Sequence, residues 1–131
     1  MTGVQTCALP IFYTFGGGCP GGWFHQGATT GGVDDDVMLR QGYAVASASL
    51  NVFGNNCNDL LAAETMMMVK ERFIEANGVP RFTIGWGCSG GSYQAHQIAD
   101  NYPARGRPAT ISSLPTPRPI WWQACRSPTT S

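Results

Sequence analysis

Apolar and polar positions fall into blocks along this chain, and the blocks change period in a regular order. Phe12-Tyr13-Thr14-Phe15 is a β-prone run that stops at Gly16-Gly17-Gly18. A glycine-rich loop, GGGCPGGW, follows. Asp34, Asp35 and Asp36 then precede Val37, Met38 and Leu39, with Gly42 shortly after. Acids favour the positive end of a helix dipole and glycine favours the C-terminal exit, so a short helix is predicted here. Tyr43 to Leu50, YAVASASL, alternates larger and small residues. It predicts a buried strand whose alanines and serines let a helix pack close. The stretch Asn51 to Asn58, NVFGNNCN, is turn-rich.

Asp59 to Ala76 carries the strongest helical pattern. Asn58 or Asp59 can cap it, and Asn77-Gly78 can end it. At about 100° per residue, Leu60, Ala63, Met66, Met67, Val69, Phe73 and Ile74 form one broad arc. Glu64, Glu71, Arg72 and Glu75 lie opposite. So wide an arc suits a helix laid on a sheet, and it makes Met66-Met67-Met68 core filler rather than a metal site. Pro80 restarts the chain, Arg81 to Trp86 (RFTIGW) predicts a third strand, and Ser92 to Asn101 predicts a helix ending before Pro103. Strand and helix alternate throughout. That order predicts an α/β fold with a parallel, doubly wound sheet.

Between the third strand and the last helix stands Gly87-Cys88-Ser89-Gly90-Gly91, a Gly-x-Ser-x-Gly pattern. Strand before and helix after are the context of a nucleophile elbow. A serine in such a turn sits in strained backbone, and side chains at Gly87 or Gly91 would meet neighbouring backbone. The turn lifts the Ser89 hydroxyl above the sheet at the helix N-terminus, where the Gly90 N–H can face a developing oxyanion. Gly17 and Gly18, at the end of the first strand, stand where the second oxyanion donor of such a site belongs.

Phe12 to Pro103 therefore resembles the α/β-hydrolase superfamily, as the central three parallel strands with their flanking helices. The phrases FGGGCPGGW, GYAVASASLNVFGNNCNDLLAAETMMMVKERF and FTIGWGCSGGSYQAHQIADNYP are similar to a bacterial hydrolase family known by a domain-of-unknown-function label. Cys88 directly before Ser89 is also similar to the tannase and feruloyl-esterase group. In that group this cysteine bonds one next to the catalytic histidine. The chain has no His-Cys pair, so that pairing does not carry over. The resemblance implies esterase-type acyl transfer on a small-molecule ester: Ser89 attacks, a histidine takes its proton, and an acid orients the histidine. In this fold both follow the serine. Only His96 and Asp100 do so here, on a helix whose axis runs away from Ser89. His25 and Trp23 are candidates for the pocket lining, although chain order argues against His25 as the base. The triad is incomplete.

Gly85-x-Gly87-x-x-Gly90 also satisfies a dinucleotide-binding pattern, which makes an oxidoreductase domain the alternative. No acid follows about twenty residues later to hold a ribose, and Trp86 would crowd a pyrophosphate. Asp34, Asp35 and Asp36 are explained as helix-start acids without a metal. Cys19, Cys57 and Cys88 lie at or beyond predicted strand ends. One pair could be bridged if the parent enzyme is exported, and free buried thiols fit equally. Trp86 reads as core or pocket wall.

Composition narrows this further. The 131 residues are 43% hydrophobic and only 12% charged, which excludes a solvated disordered chain. With 8 basic and 8 acidic residues there is no electrostatic case for nucleic acid. No apolar run approaches the roughly 20 residues of a membrane span. Five cysteines without a CxxC pair give no zinc knuckle, and no cofactor is called for.

The neutral total hides three unlike segments. Residues 1–11, MTGVQTCALPI, carry no charge, lack a basic leader region, and resemble the direct translation of a common sequencing adapter. Residues 12–103 carry 4 basic and 8 acidic groups; residues 104–131 carry 4 basic and none acidic. That last stretch is rich in Pro, Arg, Ser and Thr and reads as a frameshift in preference to a disordered linker. Three strands with two unpaired edges predict a chain that is unstable and inactive by itself. Cooperative thermal unfolding together with esterase turnover would refute that expectation.

Overall fold

The computed structural model describes residues 9–19 and 29–101, and the backbone of 111–112. Among the described residues four parallel strands form one sheet: β1 (Ile11–Gly16), β2 (Ala44–Val52), β3 (Thr83–Gly87) and the two-residue β4 (Ile111–Ser112). Between them run α1 (Asp36–Arg40), α2 (Asp59–Asn77) and α3 (Gly90–Asn101). The spatial order is β2-β1-β3-β4, so the first strand lies in the interior of an open sheet. The chain is α/β, as its alternating pattern predicts.

The interior position of β1 explains its composition. Residues 11–15 are buried without a break, as expected of a strand covered on both faces. Ile11, Tyr13 and Phe15 share one face and pack against Ala63 and Met66 of α2 and Ala95 and Ile98 of α3. Phe12 faces the other way, against Trp86. Ile11, grouped by sequence with the segment before Phe12, belongs to this core and pairs with Ala44 and Thr83. β4 lies within the stretch read as a frameshifted tail, and its two residues pair with Thr83 and Ile84, so β3 is not the open edge that the three-strand expectation made it.

β2 differs from its predicted character. It lies at the edge of the sheet, so residues 44–50 are half-buried instead of buried. It also runs on into Asn51 and Val52, which the turn-rich composition assigned to a loop. The same edge position corrects α2. Only Ala62, Ala63 and Met66 are fully buried, while Leu60, Met67 and Met68 are exposed. Met66 alone of the three methionines fills the core.

The helix ends follow local chemistry. Asp35 accepts a hydrogen bond from the Met38 N–H at 3.0 Å, and Asp36 pairs with Arg40 on the surface. Asn58 accepts from the Leu61 N–H at 3.0 Å, and the Gly78 N–H closes α2 on the Ile74 carbonyl.

One buried polar relay joins the core to the β2 end. The Tyr13 hydroxyl donates to Asn51 Oδ1 at 2.6 Å, and Asn51 Nδ2 donates to the Ala62 carbonyl at 2.8 Å. Burial pushes the Tyr13 hydroxyl well above the ordinary phenol range, so it remains a donor. Tyr13→Phe leaves the buried Asn51 oxygen unpaired. Urea unfolding is expected to show a loss of about 1–3 kcal/mol.

Strand order also fixes where a site can form. From β1 the chain moves to one side, to β2; from β2 it crosses back to β3 on the other side. Right-handed crossovers then require α1 on the face opposite α2. The carboxyl ends of β1 and β3 lead in opposite directions, and the crevice between them is the sheet's switch point.

Candidate active site

Ser89 stands at that crevice. It follows β3 by two residues, immediately precedes α3, and is exposed. Its φ is +56°, left-handed backbone that a non-glycine residue adopts at a cost. The flanking glycines show what holds it there. A methyl group on Gly87 would lie 2.6 Å from the Gly91 carbonyl carbon, and one on Gly91 would lie 2.7 Å from the Phe15 oxygen. Strand, turn and helix are thus in backbone contact, which only glycine permits. The Gly91 N–H donates to the Cys88 carbonyl at 2.9 Å, and the Tyr93 N–H donates to the Ser89 carbonyl at 3.1 Å. Gly90 opens α3, so its N–H belongs to the first-turn amides that an α-helix leaves without an intrahelical acceptor.

The loop after β1 comes directly onto this turn. A methyl group on Gly17 would sit 2.8 Å from the Cys88 oxygen, 3.5 Å from Ser89 Cβ and 3.7 Å from the Gly90 nitrogen. Gly17 and Gly90, distant in sequence, therefore flank the serine together. Two supports hold the loop from the β2 side. The Phe53 N–H donates to the Gly16 carbonyl at 3.2 Å and the Gly54 N–H to the Gly17 carbonyl at 3.0 Å. A disulfide joins Cys19 to Cys57, with Cα atoms 5.2 Å apart. Cys88 is disulfide-bonded as well, to neither of those two. The loop and the residue before the serine are both covalently held. Cys19→Ser with Cys57→Ser is expected to cost about 2–5 kcal/mol, read as a lower urea midpoint.

An aromatic rim borders the turn. Phe53 packs over Gly90 and lies 5.9 Å from the Tyr93 ring, centroid to centroid. The Tyr93 hydroxyl donates to Asp59 Oδ2 at 2.9 Å. That hydrogen bond, with the adjacent carboxylate charge, raises the exposed phenol above its ordinary range.

Other sequence candidates are not at the serine. His96 is half-buried on α3, seven residues beyond Ser89; at 1.5 Å per residue it lies about 10 Å down the helix. Asp100 is exposed and a further turn away. Neither reaches the Ser89 hydroxyl. His25 and Trp23 lie outside the described residues. Trp86, read from the sequence as core or pocket wall, is exposed on β3, with its ring against Phe12. Gly85 is committed to the ladder opposite Tyr13, so the dinucleotide pattern has no glycine turn where a pyrophosphate needs one. Among the described residues no three His, Cys, Asp or Glu side chains form a metal site, and no helix is long and apolar enough to cross a membrane.

Sequence reasoning missed Gln94. It is fully buried, and its Nε2 donates to the Gly16 carbonyl at 3.0 Å. The signal was a glutamine beside Ala95 and Ile98 on the apolar side of α3, one turn after Gly90.

A family profile described as tannase-like, of unknown function (DUF6351), matches residues 9–106. No curated protein matches the chain, and no solved structure does.

Proposed function

The chain belongs to this tannase-like family, and from that membership together with the geometry at Ser89 we propose a serine hydrolase site of esterase type. The observation that carries the reading is the left-handed Ser89 between Gly87 and Gly91, with Gly17 against it. Ser89 Oγ attacks the carbonyl carbon of a small-molecule ester. The tetrahedral oxyanion is met by the Gly90 N–H and by a second N–H from Gly17 or Gly18. Collapse of that intermediate expels the alcohol and leaves an acyl-serine for water to cleave. A base must take the Ser89 proton and return it to the leaving alcohol. His96 and Asp100 are too far along α3 to do so, and the reading implies a histidine and acid from elsewhere.

The test separates the nucleophile from the missing base. A fluorophosphonate is incubated with the chain, with imidazole supplied in solution as the base. The expected product is a single phosphonyl adduct on Ser89 by peptide mass spectrometry, absent from Ser89→Ala. An adduct level unchanged by Ser89→Ala would end the proposal. Retention of NAD without labelling would favour the dinucleotide alternative.

A further inference from the structure

Gln94 is buried, yet only one end of its amide has a partner. Nε2 donates to the Gly16 carbonyl at 3.0 Å and, more weakly, to the Gly90 carbonyl at 3.4 Å. Oε1 is buried with no hydrogen-bond partner. An unpaired buried oxygen destabilises the fold, and an apolar side chain of similar shape would avoid that cost. The unpaired oxygen gives no reason for a glutamine at this position. The contact with Gly16 does.

Gly16 is the last residue of β1, at a register shift opposite Val52. Its carbonyl receives two donors, the Phe53 N–H from one side and Gln94 Nε2 from the elbow helix. A peptide unit is planar, with its C=O and N–H directed oppositely. Fixing the Gly16 carbonyl therefore fixes the N–H of Gly17. The next unit is held likewise, because the Gly17 carbonyl accepts from the Gly54 N–H. Gly17 has no side chain of its own to set its orientation, and the following residues Gly18 and Cys19 both have positive φ. Without the two bonds on Gly16 this peptide could rotate.

We infer that Gln94 is a positioning residue for the oxyanion loop: its amide locks the Gly16–Gly17 peptide and so aims the Gly17 N–H at the oxyanion formed on Ser89 attack. Gln94 touches no reacting atom. It links the two halves of the oxyanion site, since one side chain on α3 holds the loop that must face the first amide of α3. The inference rests on the serine-hydrolase reading for its consequence in rate, and on geometry alone for the lock.

Three variants and two measurements test it. Gln94→Leu removes the donor and the orphan oxygen together. Its imidazole-dependent phosphonylation of Ser89 is expected to slow about ten- to a hundredfold, the scale of a misplaced oxyanion donor, at an unchanged or higher melting temperature. Gln94→Glu can donate to the Gly16 carbonyl only when protonated. Its labelling rate relative to wild type is expected to rise as pH falls, and the Gly17 amide resonance to titrate over the same range. Gln94→Met, matched in length without a donor, is expected to follow Gln94→Leu at every pH. Wild-type rates in Gln94→Leu would overturn the inference. If Gln94→Leu fails to fold, a pH-independent rate ratio in Gln94→Glu would overturn it. If wild type is not labelled at Ser89, the hydrolase reading fails. The lock is then judged by the Gly17 resonance alone, and the absence of titration there overturns it.

Discussion

Gly87→Ala is expected to separate β3 from α3 and to be the most damaging single-methyl change at this site. The added carbon would lie 2.6 Å, 2.7 Å and 2.9 Å from the carbonyl carbon, Cα and oxygen of Gly91. All three are backbone atoms, so no rotamer change relieves the clash. Gly91 cannot retreat, because its own Cα side lies against the Phe15 carbonyl. Overpacking of this kind costs about 3 kcal/mol or more, a large share of the roughly 5–15 kcal/mol that holds a domain of this size together. Gly42→Ala is the control. Gly42 has φ +85° with nothing near its added methyl, so the variant carries backbone strain alone, of about 1 kcal/mol. Chemical unfolding of both variants, read by tryptophan fluorescence, should rank Gly87→Ala well below Gly42→Ala. Equal midpoints would mean that the elbow is not packed as described.

Gly17→Ala is expected to act on reactivity more than on stability. Its methyl would be driven against the Cys88 oxygen at 2.8 Å, while Ser89 Cβ and the Gly90 nitrogen remain at ordinary contact distance. The loop is held at Gly16 and Gly17 by individual hydrogen bonds, which stretch at lower cost than the backbone-to-backbone packing of β3 on α3. A shift of a few tenths of an ångström relieves the clash and withdraws the loop's amides from the oxyanion position. Losing one such donor lowers rates by about 10²–10³. The rate constant for Ser89 phosphonylation should fall by that order while the unfolding midpoint moves little. Unchanged labelling would remove Gly17 from the oxyanion site.

The elements were legible because each is written locally. The β-prone run at Phe12, the acids before Val37 and the caps at Asn58 and Gly78 act over a few residues, and the structure places strands and helices there. What periodicity reports is a face, not how much of it is covered. Leu60 and Met67 lie on the predicted apolar arc of α2, yet α2 rests on an edge strand and the sheet covers only a narrow stripe. The central place of β1 was likewise absent from the pattern, since strand order is settled by pairing between distant segments. The site divides in the same way. Gly87 to Gly91 is a local turn and reads directly from its glycines. Gln94 acts on Gly16 across 78 positions, and no local pattern encodes such a hydrogen bond.

The Cys19–Cys57 bond spans a sequence separation of 38 and closes a covalent ring that contains α1 and β2. The ring's neck is the loop beside Ser89. A protease that cuts anywhere between these two cysteines therefore yields a nicked molecule and not a shed piece. The two chains would run as one species on a non-reducing gel and as separate species after thiol treatment. Cleavage on the α1 side could thus leave both walls of the serine crevice tied together.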